Sequence, residues 1–162
     1  ASTMDRSPGA RLHRAALRVF RLFPRSVRRI TVRTVSPSYT VGAICVIERP
    51  DGAILLVRQA YRKNWGIPGG LLKRGEAPEV GARREVFEEV GVNVGTVKYM
   101  GSQPWPFPHS LMLGFRAEWV SGDIVCDPTE ILDANWYRKD ALPNIPPGIS
   151  IARKLIDAWL NE

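Results

Sequence analysis

Three glutamates, Glu85, Glu88 and Glu89, stand at positions i, i+3 and i+4 of a stretch that reads as a helix over residues 78–90. Pro78 suits a first helical turn, Gly91 suits the stop, and Gly81 is the one interior breaker between them. At this spacing the three side chains share one face, and each like-charged pair costs an isolated helix about 0.2–0.5 kcal/mol. A cation on that face turns repulsion into attraction. Hard divalent cations take oxygen ligands, and Mg²⁺ in particular is held by a few carboxylates together with substrate phosphates. The residue types therefore point to metal-assisted phosphate chemistry; the plainer alternative is a solvated acidic helix face. Ahead of the helix, Gly69, Gly70 and Gly75 let the backbone approach a ligand closely, and Glu76 is placed to fold back onto the site.

The elements that must position these residues follow from the hydrophobic pattern. Residues 39–47 and 53–58 are strand-like runs joined by Glu48-Arg-Pro-Asp-Gly52, a turn sequence, and so predict a hairpin. Further strands are predicted over 96–101, 110–120 and 135–138, and a closing helix over 149–160 with Ile151, Leu155, Ile156 and Trp159 inward. The mixed order predicts an α/β fold with a central mixed sheet between helical layers. Residues 27–35, which interleave Val, Ile and Thr with arginine, read as a strand or an extended connector.

The whole pattern is more specific than its glutamates. Gly70, five residues, Glu76, seven residues, then Arg84-Glu85-Val86-Phe87-Glu88-Glu89-Val90-Gly91-Val92 matches the Nudix box at every defined position, so the chain resembles the Nudix hydrolases. The resemblance implies the α/β/α Nudix sandwich with its loop-helix, and hydrolysis of a diphosphate linked to a nucleoside with Mg²⁺ or Mn²⁺. It implies metal binding by Glu85, Glu88 and Glu89 with help from the Gly70 carbonyl. Glu89 is the expected base, and Arg84 the residue that orients a glutamate.

A second stretch, Ser102-Gln-Pro-Trp-Pro-Phe-Pro-His-Ser110, has three alternating prolines and predicts a stiff loop. Trp105 and Phe107 on such a loop present faces for a flat base, or else cap the core; the residues alone leave both readings open. SQPWPFPxS downstream of a Nudix box resembles the NADH pyrophosphatases, and the similarity runs over roughly residues 40–160. It implies a dinucleotide substrate split into two monophosphates, with Glu130 joining the metal cluster and Gln103 near the substrate. That family stacks an aromatic placed after the first box glycine. Leu71 stands there here, with Tyr39 and Trp65 as candidates to replace the ring. ADP-ribose, a dinucleoside polyphosphate, an oxidised nucleotide or NAD-capped RNA are the alternative substrates, and a non-catalytic nucleotide-binding module is the alternative class.

With 162 residues the chain suits one domain, predicted over 37–162, preceded by an arm over 1–36. The arm holds nine arginines and one aspartate, so of the net +7 the remainder carries −1. Over residues 10–23, Leu12, Ala16, Val19, Phe20 and Phe23 recur at helical spacing among arginines, which predicts a basic amphipathic helix ending near Pro24. Its apolar side suits docking on the domain or on a second subunit in a homodimer; contact with nucleic acid or an anionic membrane is the other reading. His13 and His109 read as surface residues. Cys45 and Cys126 lie in apolar runs without CxxC spacing, which predicts buried thiols; the cysteines of the related family's zinc ribbon are absent, so no zinc is expected. No bilayer-spanning run or secretory signal is present, which predicts a soluble cytoplasmic enzyme, and Met4 reads as the natural start after a cloning remnant, Ala1-Ser-Thr3.

Overall fold

A computed structural model describes residues 8–35, 38–105 and 109–162. The proposed remnant and start at Met4, and Phe107, lie outside the described residues. The chain divides into two units, Ala1–Ser38 and Tyr39–Glu162.

In the first unit, α1 spans Pro8–Leu22 and α2 spans Arg25–Val35. The second helix corrects the expectation of a strand or connector over 27–35. No Gly or Pro interrupts this segment after Pro24, and the helix cost of Val, Ile and Thr is only about 0.7 kcal/mol or less per residue. The Thr31 and Thr34 hydroxyls also donate to the carbonyls of Val27 and Ile30 one turn back, at 3.0 and 3.2 Å.

The second unit contains β1 (Thr40–Glu48), β2 (Ile54–Gln59), β3 (Gly69–Leu71), α3 (Pro78–Val90), β4 (Asn93–Val94), β5 (Lys98–Trp105), β6 (Ser110–Ser121), β7 (Ile131–Tyr137) and α4 (Ile151–Leu160). The sheet runs β4-β6-β1-β2-β7, with β3 on β1 and β5 on β6. Strands β1 and β6 are parallel and the remaining pairs antiparallel, so the sheet is mixed as expected. Both faces of β1 and β2 are apolar. Ala43, Cys45, Ile47, Leu55 and Val57 point into a core with Val86 and Val90 of α3. Ile44, Val46, Ile54 and Leu56 point the other way, onto Leu155, Ile156 and Trp159 of α4. A helix therefore covers each face, which is what near-continuous apolar strands demand.

The first part of the proline-rich stretch departs from its expectation, while residues 106–108 lie outside the described residues. Ser102 to Trp105 extend β5 rather than forming a loop, with Gln103 opposite Met112 and Pro104 opposite Leu111. Strand β5 pairs with β6 alone, so it is an edge, the position in a sheet where proline's missing N–H costs no ladder bond. Cys45 is fully buried, and burial pushes its thiol up to about 12. Cys126 differs from expectation: it is half-buried in the connection between β6 and β7, outside any strand, and packs at the rim of the core. Both thiols are free.

Candidate active site: a carboxylate cleft beside an apolar cleft

Helix α3 reaches the site because its sheet-facing side carries Ala82, Val86 and Val90 into the core. Packing of that stripe fixes the rotation of the helix, and so the direction of Glu85 and Glu89. The helix stops where Gly91 adopts a left-handed φ of 73° and donates its N–H to the Phe87 carbonyl. Strand β3 lies across the opening of the site. Its Gly69 N–H donates to Glu89 Oε2 at 2.9 Å, and the Glu85 carboxylate occupies the space where a Cβ on Gly70 would stand.

Among the described residues Glu89, only 4 % exposed, is one of two buried polar or charged side chains; the other is Gln59. Burial pushes its pKa from 4.5 to about 7, the charges of Glu85 and Glu130 push in the same direction, and the Gly69 N–H and Gln59 oppose them. Arg84 is the hub on the outer side. Its guanidinium donates to Glu76 at 2.7 and 2.8 Å, to Glu85 and Glu88 at 2.7 Å each, and to the Leu71 carbonyl at 3.1 Å. Glu76 folds back as expected, yet its partners are Arg84 and the Lys73 N–H, and the Arg84 hydrogen bonds pull its pKa down to about 2. Glu88 is exposed and held between Arg84 and Lys73. This contact lowers its pKa as well.

Glu85, Glu88, Glu89, Glu130, Gly70 and Arg84 line one cleft of about 600 Å³. Among the described residues no three acidic, histidine or cysteine side chains close to a common metal-ligand distance. Arg84 accounts for this on the outer side, since it takes the carboxylates of Glu85 and Glu88. The donor set nevertheless fits a hard divalent cation. All its atoms are oxygens, and a cation offsets both the burial that chiefly raises the pKa of Glu89 and the smaller push from the charges of Glu85 and Glu130.

A second cleft, about 430 Å³, adjoins the first and shares Tyr61, Gly69, Gly70 and Leu71 with it. Its apolar walls include Ile44, Met112, Trp105 and Ile151, and Gln59 and Arg62 bring polar atoms. Trp105 and Leu71 are therefore at this site. Tyr39 does not line either cleft, and Trp65 packs edge-on to Tyr137 at 5.2 Å instead. Gln103 directs its Nε2 to the Ile149 carbonyl at 2.8 Å, which ties β5 to the segment ahead of α4. Tyr61, Gln59 and Arg62 were not legible in the sequence. They sit at or just past the end of β2, and only strand pairing brings that turn beside β3.

The NUDIX domain family matches residues 38–159. The chain belongs to the Nudix family. A curated relative, the NAD-capped RNA hydrolase NudC of Escherichia coli (strain K12 / DH10B), is 48 % identical over 123 residues, which cover 74 % of this chain and 48 % of that protein. The chain thus spans about half the length of the curated relatives it matches. Among solved structures, a Nudix hydrolase from Nitrosomonas europaea superimposes with a TM-score of 0.68 at 22 % identity, covering 76 % of this chain and 71 % of that one. The MutT Nudix hydrolase from Burkholderia pseudomallei gives 0.61 at 23 % identity, covering 74 % and 97 %. Both likenesses show the Nudix fold. No helix among the described residues is long and apolar enough to cross a membrane.

The Arg84 hub makes its own prediction. Arg84→Lys keeps a charge but loses the fork that holds Glu76, Glu85 and Glu88 together. Affinity for the divalent cation, read by titrating activity with Mg²⁺, should fall about 10–100-fold, the range seen when groups that orient ligands are lost. An unchanged Mg²⁺ midpoint would show that Arg84 does not orient the carboxylates.

Proposed function

We propose that this Nudix domain hydrolyses the central diphosphate of a dinucleotide such as NADH, giving two monophosphates. The observation that carries the reading is the apposition of the two clefts. A carboxylate cleft suited to a cation and a diphosphate opens, across Tyr61, Gly69, Gly70 and Leu71, onto an apolar cleft suited to a flat base. The name of the NudC relatives supports an NAD-type substrate.

Glu85, Glu89 and Glu130 with the Gly70 carbonyl would hold Mg²⁺ or Mn²⁺, with Glu88 at the outer margin. When bound, the ion supplies positive charge to the diphosphate and acidifies water. Glu89 then serves as the base. It is buried, held on the Gly69 N–H, and close enough to Glu85 and Glu130 to feel their charges, so its orientation is set before substrate arrives. Water adds to one phosphorus as the bridging oxygen leaves with the other phosphate, and the proton removed from water passes to the carboxylate. Arg84 keeps Glu85 and Glu88 in place without touching the reacting atoms. Tyr61, Leu71 and Trp105 hold the base, with Tyr61 taking the role expected of an aromatic at position 71.

The test is a panel of NADH, NAD⁺, ADP-ribose, diadenosine polyphosphates, oxidised nucleotides and NAD-capped RNA with either metal, products separated by chromatography. The expected winner in kcat/KM is NADH, giving AMP and NMNH. A clearly better substrate elsewhere in the panel would replace this reading. Tyr61→Ala and Trp105→Ala should each raise KM for NADH about tenfold, matching the 1–3 kcal/mol typical of base stacking on an aromatic. Unchanged KM values for both would place the base elsewhere.

A further inference from the structure

Residues 8–35 contain eight arginines and no acidic residue. The two helices built from them segregate charge from apolar surface. At 100° per residue, Arg11, Arg14, Arg18 and Arg21 fall within an arc of about 80° on α1, and Leu12, Ala16 and Val19 lie on the other side. On α2, Arg25, Arg28, Arg29 and Arg33 occupy an arc of about 140°, with Val27 and Ile30 opposite. Within this unit the apolar sides are left uncovered: Leu12 is 74 % exposed, Val19 55 % and Ile30 63 %. Within this unit Phe20 and Val32 line a hollow of about 530 Å³ with the four α2 arginines. Arg28 Nε is buried and has no hydrogen-bond partner, so it is a donor awaiting an acceptor.

We propose that α1 and α2 form an interfacial anchor for an anionic membrane surface, the apolar sides entering the headgroup boundary and the arginine arcs meeting lipid phosphates. Charge complementarity selects an anionic occupant, and the hollow offers an arginine-walled seat for one headgroup phosphate. The exposed aliphatic side chains decide between a membrane and a nucleic acid. A phosphate backbone alone makes no use of Leu12, Val19 and Ile30, and with Phe20 lining the hollow, Phe23 is a single exposed ring rather than a platform for successive bases. A lipid interface uses both features together, because attraction to anionic headgroups and burial of apolar area reinforce one another. The inference rests on this unit alone and is independent of the substrate proposed above.

The full chain is sedimented with vesicles of phosphatidylcholine alone and of phosphatidylcholine mixed with phosphatidylglycerol. Binding to the mixed vesicles, at least about tenfold tighter than to the neutral ones, is expected. Arg28→Gln with Arg29→Gln should weaken binding to the mixed vesicles about tenfold. Leu12→Ser with Ile30→Ser should also weaken binding, although net charge is unchanged. Equal affinity for the two vesicle types, or none for either, would overturn the proposal, and the comparison needs only the unsubstituted chain. Retention on polyuridylate with no vesicle binding would overturn it in favour of a polynucleotide.

Discussion

Glu89→Gln should nearly abolish turnover and, without metal, make the protein more stable above neutral pH. The two effects share one cause. Glu89 is buried beside Glu85 and Glu130, so its charged form is penalised and its pKa stands at about 7 rather than 4.5. A carboxyl whose folded pKa is raised binds its proton more tightly in the native state. That contribution to stability is fully present below about pH 4.5 and is lost as the pH rises through about 7. Glutamine keeps the shape and an acceptor for the Gly69 N–H, and it has no charge to bury. In chelator, urea melts at pH 8 should show Glu89→Gln more stable by up to about 3 kcal/mol, the size of the shift in free energy. At pH 5 the advantage should nearly vanish. Adding Mg²⁺ at pH 8 should reverse the order, since a cation that binds the native parent stabilises it by mass action and the variant has lost a ligand charge. Turnover should fall by about 10²–10⁴-fold, the usual worth of a positioned base. Near-normal turnover, or equal pH dependence in the two proteins, would remove Glu89 from the centre of the mechanism.

The adjacent glycines should respond in opposite ways to the same added methyl group. Gly69 has φ +144°, and a Cβ there would lie 2.1 Å from the Ala43 carbonyl oxygen and 2.6 Å from Ile44 Cα, both backbone atoms of β1. Nothing in a paired strand can yield by that much. Gly69→Ala should therefore cost about 2–5 kcal/mol of stability, combining a strained φ with overpacking. A Cβ on Gly70 would meet Glu85 Oε2 at 2.4 Å, the far end of a flexible side chain. Glu85 can turn aside at little cost to the fold, and in doing so it leaves the cleft. Gly70→Ala should keep a melting temperature close to the parent's and lose about 10²-fold in turnover, as expected for a misplacement of about 1 Å. Thermal melts and kinetics on the two variants separate the cases. Gly70→Ala with full activity would show that the site does not need Glu85 where the structure holds it.

The local features were legible because they depend on residue type and short spacing. Pro78 and Gly91 set the length of α3, and the i, i+3, i+4 spacing put Glu85, Glu88 and Glu89 on one side of it; that Glu89 is buried while Glu88 is exposed followed only from how Ala82, Val86 and Val90 pack. The continuous apolar runs of β1 and β2 announced a sheet covered on both faces. Where β-branched residues and arginines alternated, over residues 27–35, local propensity was too even to choose, and the helix emerged from an uninterrupted backbone after Pro24. The alternating prolines predict a loop, yet an edge position removes the cost of Pro104 in β5, and being at an edge is a property of the sheet. Register did the rest. It is the pairing of β1 with β3 that carries Gly69 and Gly70 over Glu89 and Glu85, and the path of β2 that brings Tyr61 and Gln59 to the same place. These contacts join residues far apart in the chain, so composition and periodicity do not encode them singly. The sequence by itself determined the acidic helix, the layered α/β fold and the Nudix chemistry. Only the tertiary structure decided that Arg84 clasps three glutamates, that Glu89 is the carboxyl whose pKa burial raises to about 7, and that Tyr61 lines both clefts beside Leu71, because each depends on desolvation and distances that exist only once the sheet has closed.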